Sequence, residues 1–523
     1  MRQGYRGAFE KGTSMQDKTT TTRMPSGVPG CDEILKGGLI NGRSYLIGGA
    51  AGAGKTIFSL QWLRAGVEAG EKCVYITLCE PGTEIQRNIA GFGWNLDGIT
   101  IVDMSPSGTD LTENPGEYHI FPPSEVENVP AWMAICAAVK ELKPQRLAID
   151  SVTQLRYLAT DDYQFRKNVL GLVNFLNGAG TTTLMLFDPS ENAFDSTVAL
   201  AVDGVIRLGR TTSTGISVGL RSLQVDKLRG SDFISGRHPF RIGNDGIRVF
   251  PHIIEHTGAG VPGAQRHTCG IAGLDLLLGG GLEIGTTTLM SGPTGTGKST
   301  LGTQYLAHHA RSARAILYTF EEPASFIISR AAEIGAPIDD VIASGALSIV
   351  HINPVEMYPD EFLGVVRRAV EVDGRTMVMI DSLRGYQFAM EEFDKPQAHI
   401  HNMVAYLSRK GISTILANES EFIASTSLKA TDIGVSHLAD NVILLRYAEH
   451  AGQVIKVIGC LKKRMGNFEP ELRQLRFSKN GIEISRRLQH LQGILTGVPS
   501  FSRADAPGAM RDPGMLVAEP DGL

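Results

Sequence analysis

Short, largely apolar runs recur along the chain, most of them running into glycine or an acid, and stretches with helical periodicity lie between them. SYLIGG (44–49) and TTLMSG (287–292) read as buried strands running into glycine-rich turns. IFSLQWLRAGVEAG (57–70) and LGTQYLAHHARSA (301–313) follow as helices. CVYITL (73–78) and AILYTF (315–320) read as the next strands, and LAID (147–150) and VMID (378–381) as later ones. Strands without polar alternation are buried on both faces, and strand–helix alternation joins parallel neighbours. The pattern therefore predicts an α/β fold: two tandem domains with mainly parallel sheets covered by helices on both faces.

The number two comes from a repeat. Residues 27–56 (GVPGCDEILKGGLINGRSYLIGGAAGAGKT) align without a gap on residues 270–299 (GIAGLDLLLGGGLEIGTTTLMSGPTGTGKS), with Asp32/Asp275, Gly38/Gly281 and Lys55/Lys298 identical. The correspondence continues. RLAIDS (146–151) answers VMIDS (378–382), DGVIRL (203–208) answers DNVILL (440–445), and FRIGNDGI (240–247) answers LRFSKNGI (475–482). A period of this length means duplicated domains rather than a solenoid. The expected partition is a disordered tail over 1–24, domains over 25–255 and 256–487, and a flexible tail over 488–523 rich in Gly, Pro and Ala. A Pro-rich insertion, 103–130, belongs to the first half alone at that length and is expected to be a surface loop.

With 523 residues, each half is long enough to bury a core. A net charge of −5 and no Lys/Arg-rich stretch with interleaved aromatics argue against a nucleic-acid groove. The six cysteines form no CxxC pair, so they predict reduced thiols rather than zinc or disulfides. No apolar run reaches the roughly 20 residues that span a bilayer, and the first residues carry no apolar leader. A cytoplasmic location is expected. The adjacent His308 and His309 point different ways on a helix and do not make a metal site. Trp62, Trp94 and Trp132 read as packing residues.

Two segments fit G-x-x-x-x-G-K-[ST] between a strand and a helix: Gly49 to Thr56, with Gly52, Ala53, Gly54 and Lys55, and Gly292 to Ser299, with Thr294, Gly295, Thr296, Gly297 and Lys298. Glycines let successive N–H groups turn inward around an anion, and the helix N-terminus adds positive potential. The lysine reaches the β- and γ-phosphates of ATP, and the Thr56 or Ser299 hydroxyl ligates Mg²⁺. Asp150 and Asp381 close the LAID and VMID strands and are the expected carboxylates for the same ion. Hydrolysis needs a group to orient or deprotonate the nucleophile. Glu80, and the pair Glu321 and Glu322, end the strand after the loop helix, where ligands of a doubly wound sheet sit.

The duplicated GxxGxDxxLxGGL–P-loop block, the EE-type strand end and the IDS strand resemble the KaiC branch of the RecA-like ATPases, over about residues 25–487. The resemblance implies a double-ring homo-hexamer with ATP at subunit interfaces, unnamed regulatory protein partners, and a circadian-clock or related signalling role. It implies an ATPase first ring and a second ring that phosphorylates itself on Ser or Thr. Ser436 matches the family's phosphoserine; Thr431 and Asp432 match its flanking pair. His437 stands where the phosphothreonine would be, a departure from the two-site pattern. The same register places Lys462 and Arg464, and in the first half Lys227 and Arg229, on the basic pair that reaches a neighbouring subunit's nucleotide. Cys79 replaces the first acid of the pair, and a thiol is a poor base beside a phosphate. Two alternatives stay open: a ring ATPase or scaffold without kinase activity, and a DNA-dependent RecA-like motor.

Overall fold

A computed structural model gives the fold; it describes residues 22–105, 131–157, 159, 161–188, 196–211, 219–252, 265–336, 338–353, 357–390, 396–420, 437–450, 452–488, 491–492 and 500–501. Residues 1–21 and most of 488–523 in the expected tails, most of the 103–130 insertion, and Thr431, Asp432 and Ser436 lie outside these residues; Arg23–Met24, expected within the first tail, instead pair with Leu39–Ile40, and Leu491–Gln492 in the second pair with Ser500–Phe501. The chain divides into two compact units, Met1–His252 and Ile253–Leu523.

In the first unit, β1 (Ser44–Gly48), β2 (Cys73–Thr77), β3 (Ile99–Asp103), β4 (Arg146–Asp150) and β5 (Thr182–Phe187) are followed by β6 (Gly204–Thr211), β7 (Leu220–Leu228), β8 (Arg237–Gly243) and β9 (Gly246–Val249). They form one nine-stranded sheet in the order β9-β8-β7-β6-β1-β5-β4-β2-β3. Strands from β6 to β3 in that order pair in parallel, and β6 to β9 extend the edge as antiparallel neighbours. Helix α1 (Lys55–Glu68) links β1 to β2. The central parallel strands β1, β2, β4 and β5 are buried along almost their whole length because both faces are covered. Adjacent residues alternate sides: Ile47 and Tyr75 join one core cluster, Leu46 and Ile76 the other.

The second unit repeats this architecture. Its strands are β10 (Thr287–Gly292), β11 (Ala315–Thr319), β12 (Leu347–His351), β13 (Met377–Asp381), β14 (Ser413–Glu419), β15 (Asn441–His450), β16 (Gln453–Lys463), β17 (Arg473–Ser478) and β18 (Gly481–Arg487). Their order, β12-β11-β13-β14-β10-β15-β16-β17-β18, is the same order read from the other edge. Helix α2 (Lys298–His309) follows β10, and α3 (Ala324–Glu333) follows β11. Two tandem α/β domains are thus present, as the alternation and the repeat required. Among the described residues no helix is long and apolar enough to cross a membrane.

The adjacent histidines have a packing role with a pH consequence. His309 is buried at the end of α2, its Nε2 2.8 Å from Thr376 Oγ1 and its ring edge-on to His267 at 4.5 Å. Burial, reinforced by the neighbouring His267 and His308, pushes its pKa down from 6.5 to about 4. A histidine held neutral by the fold stabilises it above the unfolded pKa and loses that contribution as pH falls towards the folded one. Acidification from about pH 6.5 to 4 should therefore cost the second unit on the order of 2 kcal/mol through this residue. Hydrogen exchange of α2 amides across that range checks it, since His309→Gln should flatten the dependence.

Candidate functional site

Each glycine loop leaves the carboxyl end of the central strand, β1 or β10, and opens a helix. Gly54 and Gly297 cap α1 and α2 with φ of 102° and 105°, a left-handed conformation that costs a side-chain-bearing residue strain. No side chain caps either helix, so the first N–H groups face the loop's concavity. Lys55 and Lys298 are almost fully buried and fold back over their loops. Lys55 Nζ donates to Gly49 O at 2.7 Å and Ala50 O at 3.2 Å. Lys298 Nζ donates to Gly292 O at 2.8 Å and Pro293 O at 3.0 Å. Burial lowers the Lys298 pKa, opposed by the nearby carboxylates of Glu419, Asp381 and Glu321.

The strand-end aspartates meet the loop hydroxyls. Thr56 Oγ1 donates to Asp150 Oδ2 at 2.9 Å, and Tyr75 OH to the same oxygen at 2.5 Å. Asp381 is buried and hydrogen-bonded to the Ser299 side chain. Burial raises the pKa of both aspartates, and these hydroxyls oppose the shift. A hydroxyl and a carboxylate at the mouth of an N–H cradle suit a hard divalent cation such as Mg²⁺, which prefers oxygen ligands and keeps several waters.

The strand-end acids divide. Glu321 is exposed and accepts a hydrogen bond from Ser382 Oγ, next to Asp381. Glu322 turns the other way and pairs with Arg330 of α3 at 2.5 Å. Glu80 is placed like Glu322: its Oε1 accepts from Asn88 Nδ2 at 2.6 Å, while Cys79 is exposed where Glu321 stands in the second unit. Thr77 and Thr319 build the same turn under both, donating to Glu80 O at 2.6 Å and Glu322 O at 2.8 Å. Burial, then repulsion by Asp150 and Glu84, raises the Glu80 pKa.

The basic pairs stand where the first antiparallel strand returns, at the ends of β7 and β16. Lys227 Nζ donates to Ala199 O at 2.9 Å and Val202 O at 2.6 Å, and Lys462 Nζ to Ala439 O at 2.6 Å. Arg229 is exposed, with a long 3.4 Å contact to Leu200 O. Arg464 pairs with Asp440 at 3.0 Å and reaches His437 O at 3.3 Å. Burial, and in each case the arginine two residues on, lowers the pKa of both lysines.

Some neighbours of the loops escaped the sequence reading. Asp188 pairs with Lys55 at 2.5 Å, and Glu419 accepts from Thr294 Oγ1. Tyr447 OH donates to Thr294 O at 3.2 Å, and Arg210, at the same sheet position in the first unit, lies beside Gly52. None belongs to a motif. Only sheet order brings them to the loops.

A family model described as "ATPase: KaiC" matches residues 24–253 and again 267–489. The chain is 28% identical over 506 residues to the circadian clock oscillator protein KaiC of Prochlorococcus marinus (strain MIT 9313), covering 91% of this chain and 95% of that protein. It is 27% identical to the circadian clock protein KaiC3 of Synechocystis sp. over 504 residues, 93% and 96% of the two chains. Against the circadian clock oscillator protein KaiC of Acaryochloris marina the identity is 26% over 522 residues, 97% and 96%.

Proposed function

The chain belongs to the KaiC family of ATPases, and on that premise we propose that it binds Mg·ATP at both duplicated loops, hydrolyses it, and phosphorylates itself on Ser436. The observation that carries the reading is the same trio in both units: a buried loop lysine, a hydroxyl–aspartate pair at the loop's end, and strand-end acids on the adjoining strand.

The backbone N–H groups of 49–56 and 292–299 would hold the phosphates, with Lys55 and Lys298 turning from their carbonyls to the β- and γ-oxygens. Thr56 with Asp150, and Ser299 with Asp381, would hold Mg²⁺, which neutralises charge developing on the transferred phosphoryl. Glu321, at the strand end beside Asp381, would accept the proton of an attacking water or, in transfer, that of the Ser436 hydroxyl. Glu80 and Glu322, held on Asn88 and Arg330, would support the turn that carries it. With Cys79 at the equivalent place, slower hydrolysis is expected in the first unit.

Lys227, Arg229, Lys462 and Arg464 would reach the nucleotide of a neighbouring copy in a homo-hexamer. A basic group supplied in trans couples catalysis to assembly. For Lys227 and Lys462 this requires release from the carbonyls they now cap. A cytoplasmic clock or related signalling role, with protein partners that read the ring's state, extends the reading from the relatives named above.

Incubating the full chain with Mg·ATP should add one phosphate, about 80 Da, to the peptide that carries Ser436 and none to the same peptide of Ser436→Ala. Intact hydrolysis with no phosphate on that peptide would leave a ring ATPase without kinase activity, the second reading, which His437 in place of the neighbouring phosphoacceptor favours.

A further inference from the structure

One acidic position recurs in both units and has no part in the trio above. Asp188 follows the last residue of β5, and Glu419 is the last of β14. Both strands lie directly beside the loop strand, between it and the strand of the Mg²⁺ aspartate. In register Phe187 stands opposite Gly48 and Asn418 opposite Ser291, so Asp188 and Glu419 are equivalent and each adjoins its loop's first glycine. Asp188 is fixed there, since its own N–H donates to Thr153 Oγ1 at 2.8 Å.

What these acids touch is the phosphate cradle itself. The Asp188 carboxylate, 44% exposed, holds the Lys55 ammonium at 2.5 Å. Glu419 accepts from Thr294 Oγ1, in the middle of the second loop, and its charge acts on Lys298. Asp188 is also near enough to Asp150 to raise that residue's pKa further, after burial. A carboxylate at this place meets a triphosphate with like charge, and it occupies the cation that the phosphates need.

We propose that Asp188 is an anionic latch on the first nucleotide site, a built-in competitor that phosphate must displace from Lys55, with Glu419 a weaker counterpart in the second. This rests on the reading that the loops bind nucleotide. Its function is to keep affinity moderate, so that a product diphosphate leaves once the γ-phosphate is gone. The asymmetry follows from the contacts: Asp188 holds the lysine directly, whereas Glu419 holds a hydroxyl.

Neutralising the latch frees Lys55 without altering the loop. An ion pair with one partner half-exposed contributes up to about 1 kcal/mol, which converts to a gain of roughly fivefold in affinity. Calorimetric titration of ADP into the full chain, with the second site silenced by Lys298→Ala and folding verified by circular dichroism, reads this directly. Asp188→Asn should bind ADP about fivefold more tightly, with and without Mg²⁺, and Asp188→Glu should stay near the unsubstituted value. Glu419→Gln, measured in a Lys55→Ala chain, should gain less. Unchanged affinity in Asp188→Asn overturns the proposal. So does weaker binding seen only with Mg²⁺, because that would make Asp188 a support for the ion. If the unsubstituted chain binds no ADP, the nucleotide-site reading fails first, and the two failures are told apart.

Discussion

Replacing Glu283 with alanine should destabilise the second unit by about 3–5 kcal/mol while leaving the first unit's unfolding where it was. The Lys463 side chain has no exposed surface, and its ammonium lies 3.0 Å from the Glu283 carboxylate, itself 5% exposed. It also donates to Leu278 O and to Gly281 O, the latter at 3.0 Å. Arg266 approaches the same carboxylate from the rim at 3.3 Å. Two carbonyls cannot neutralise an ammonium out of water, so losing the carboxylate strands the charge.

The first unit shows how the same place is filled without charge. Glu283 pairs with Arg266 in register just as Ile40 pairs with Arg23, and Lys463 corresponds to Leu228. There Arg23 Nη1 donates to Leu35 O at 2.9 Å and Gly38 O at 3.0 Å, the equivalents of the two carbonyls that Lys463 serves. The double change Glu283→Ile with Lys463→Leu should therefore recover most of the loss, because Arg266 can take over those carbonyls as Arg23 does. All three tryptophans lie in the first unit, so their fluorescence serves as the internal control. Hydrogen exchange of β10 and β13 amides reports the second. A loss below about 1 kcal/mol for Glu283→Ala would mean that water reaches Lys463 and that the pair is not buried in solution.

This ion pair marks where sequence reading stops. The loops, the strand-end aspartates and the duplication are legible because each depends on neighbours in the chain: glycines at fixed spacing, an acid closing an apolar run, a block repeated in full. Glu283 and Lys463 are 180 positions apart and join only through the sheet. Asp188 and Glu419 are as hidden. Asp188 follows β5 and Glu419 ends β14, neither strand carries a motif, and strand order alone makes each acid a neighbour of the loop. The antiparallel strands β7 to β9 and β16 to β18 carry no motif either, yet they set where Lys227 and Lys462 stand. Side-chain direction is the other gap. Glu321 and Glu322 are consecutive, and the sequence offers no means of choosing between them. The tight turn built on Thr319 decides, sending Glu322 to Arg330 and Glu321 to Ser382.

That division predicts unequal effects on turnover. Glu321→Gln should lower phosphoryl transfer at the second site by about 10²–10⁴-fold, the range of a lost general base, while nucleotide affinity changes little. The amide keeps the shape and can still engage Ser382, but it cannot accept the nucleophile's proton at neutral pH. Glu322→Gln should lower turnover far less. Its carboxylate is paired with Arg330 at 2.5 Å, both side chains are over a third exposed, and such a pair contributes little. The measurement is single-turnover hydrolysis in a Lys55→Ala chain, with ADP affinity titrated alongside. Equal losses in both variants would show that the pair acts through the turn rather than through one proton acceptor. The converse change tests the same geometry in the first unit. Cys79→Glu, placing a carboxylate where Glu321 stands, should speed hydrolysis there, because Thr77 builds the same turn as Thr319 and Asp150 stands at the same strand end as Asp381. Asn88 would go on holding Glu80 out of the way, as Arg330 holds Glu322.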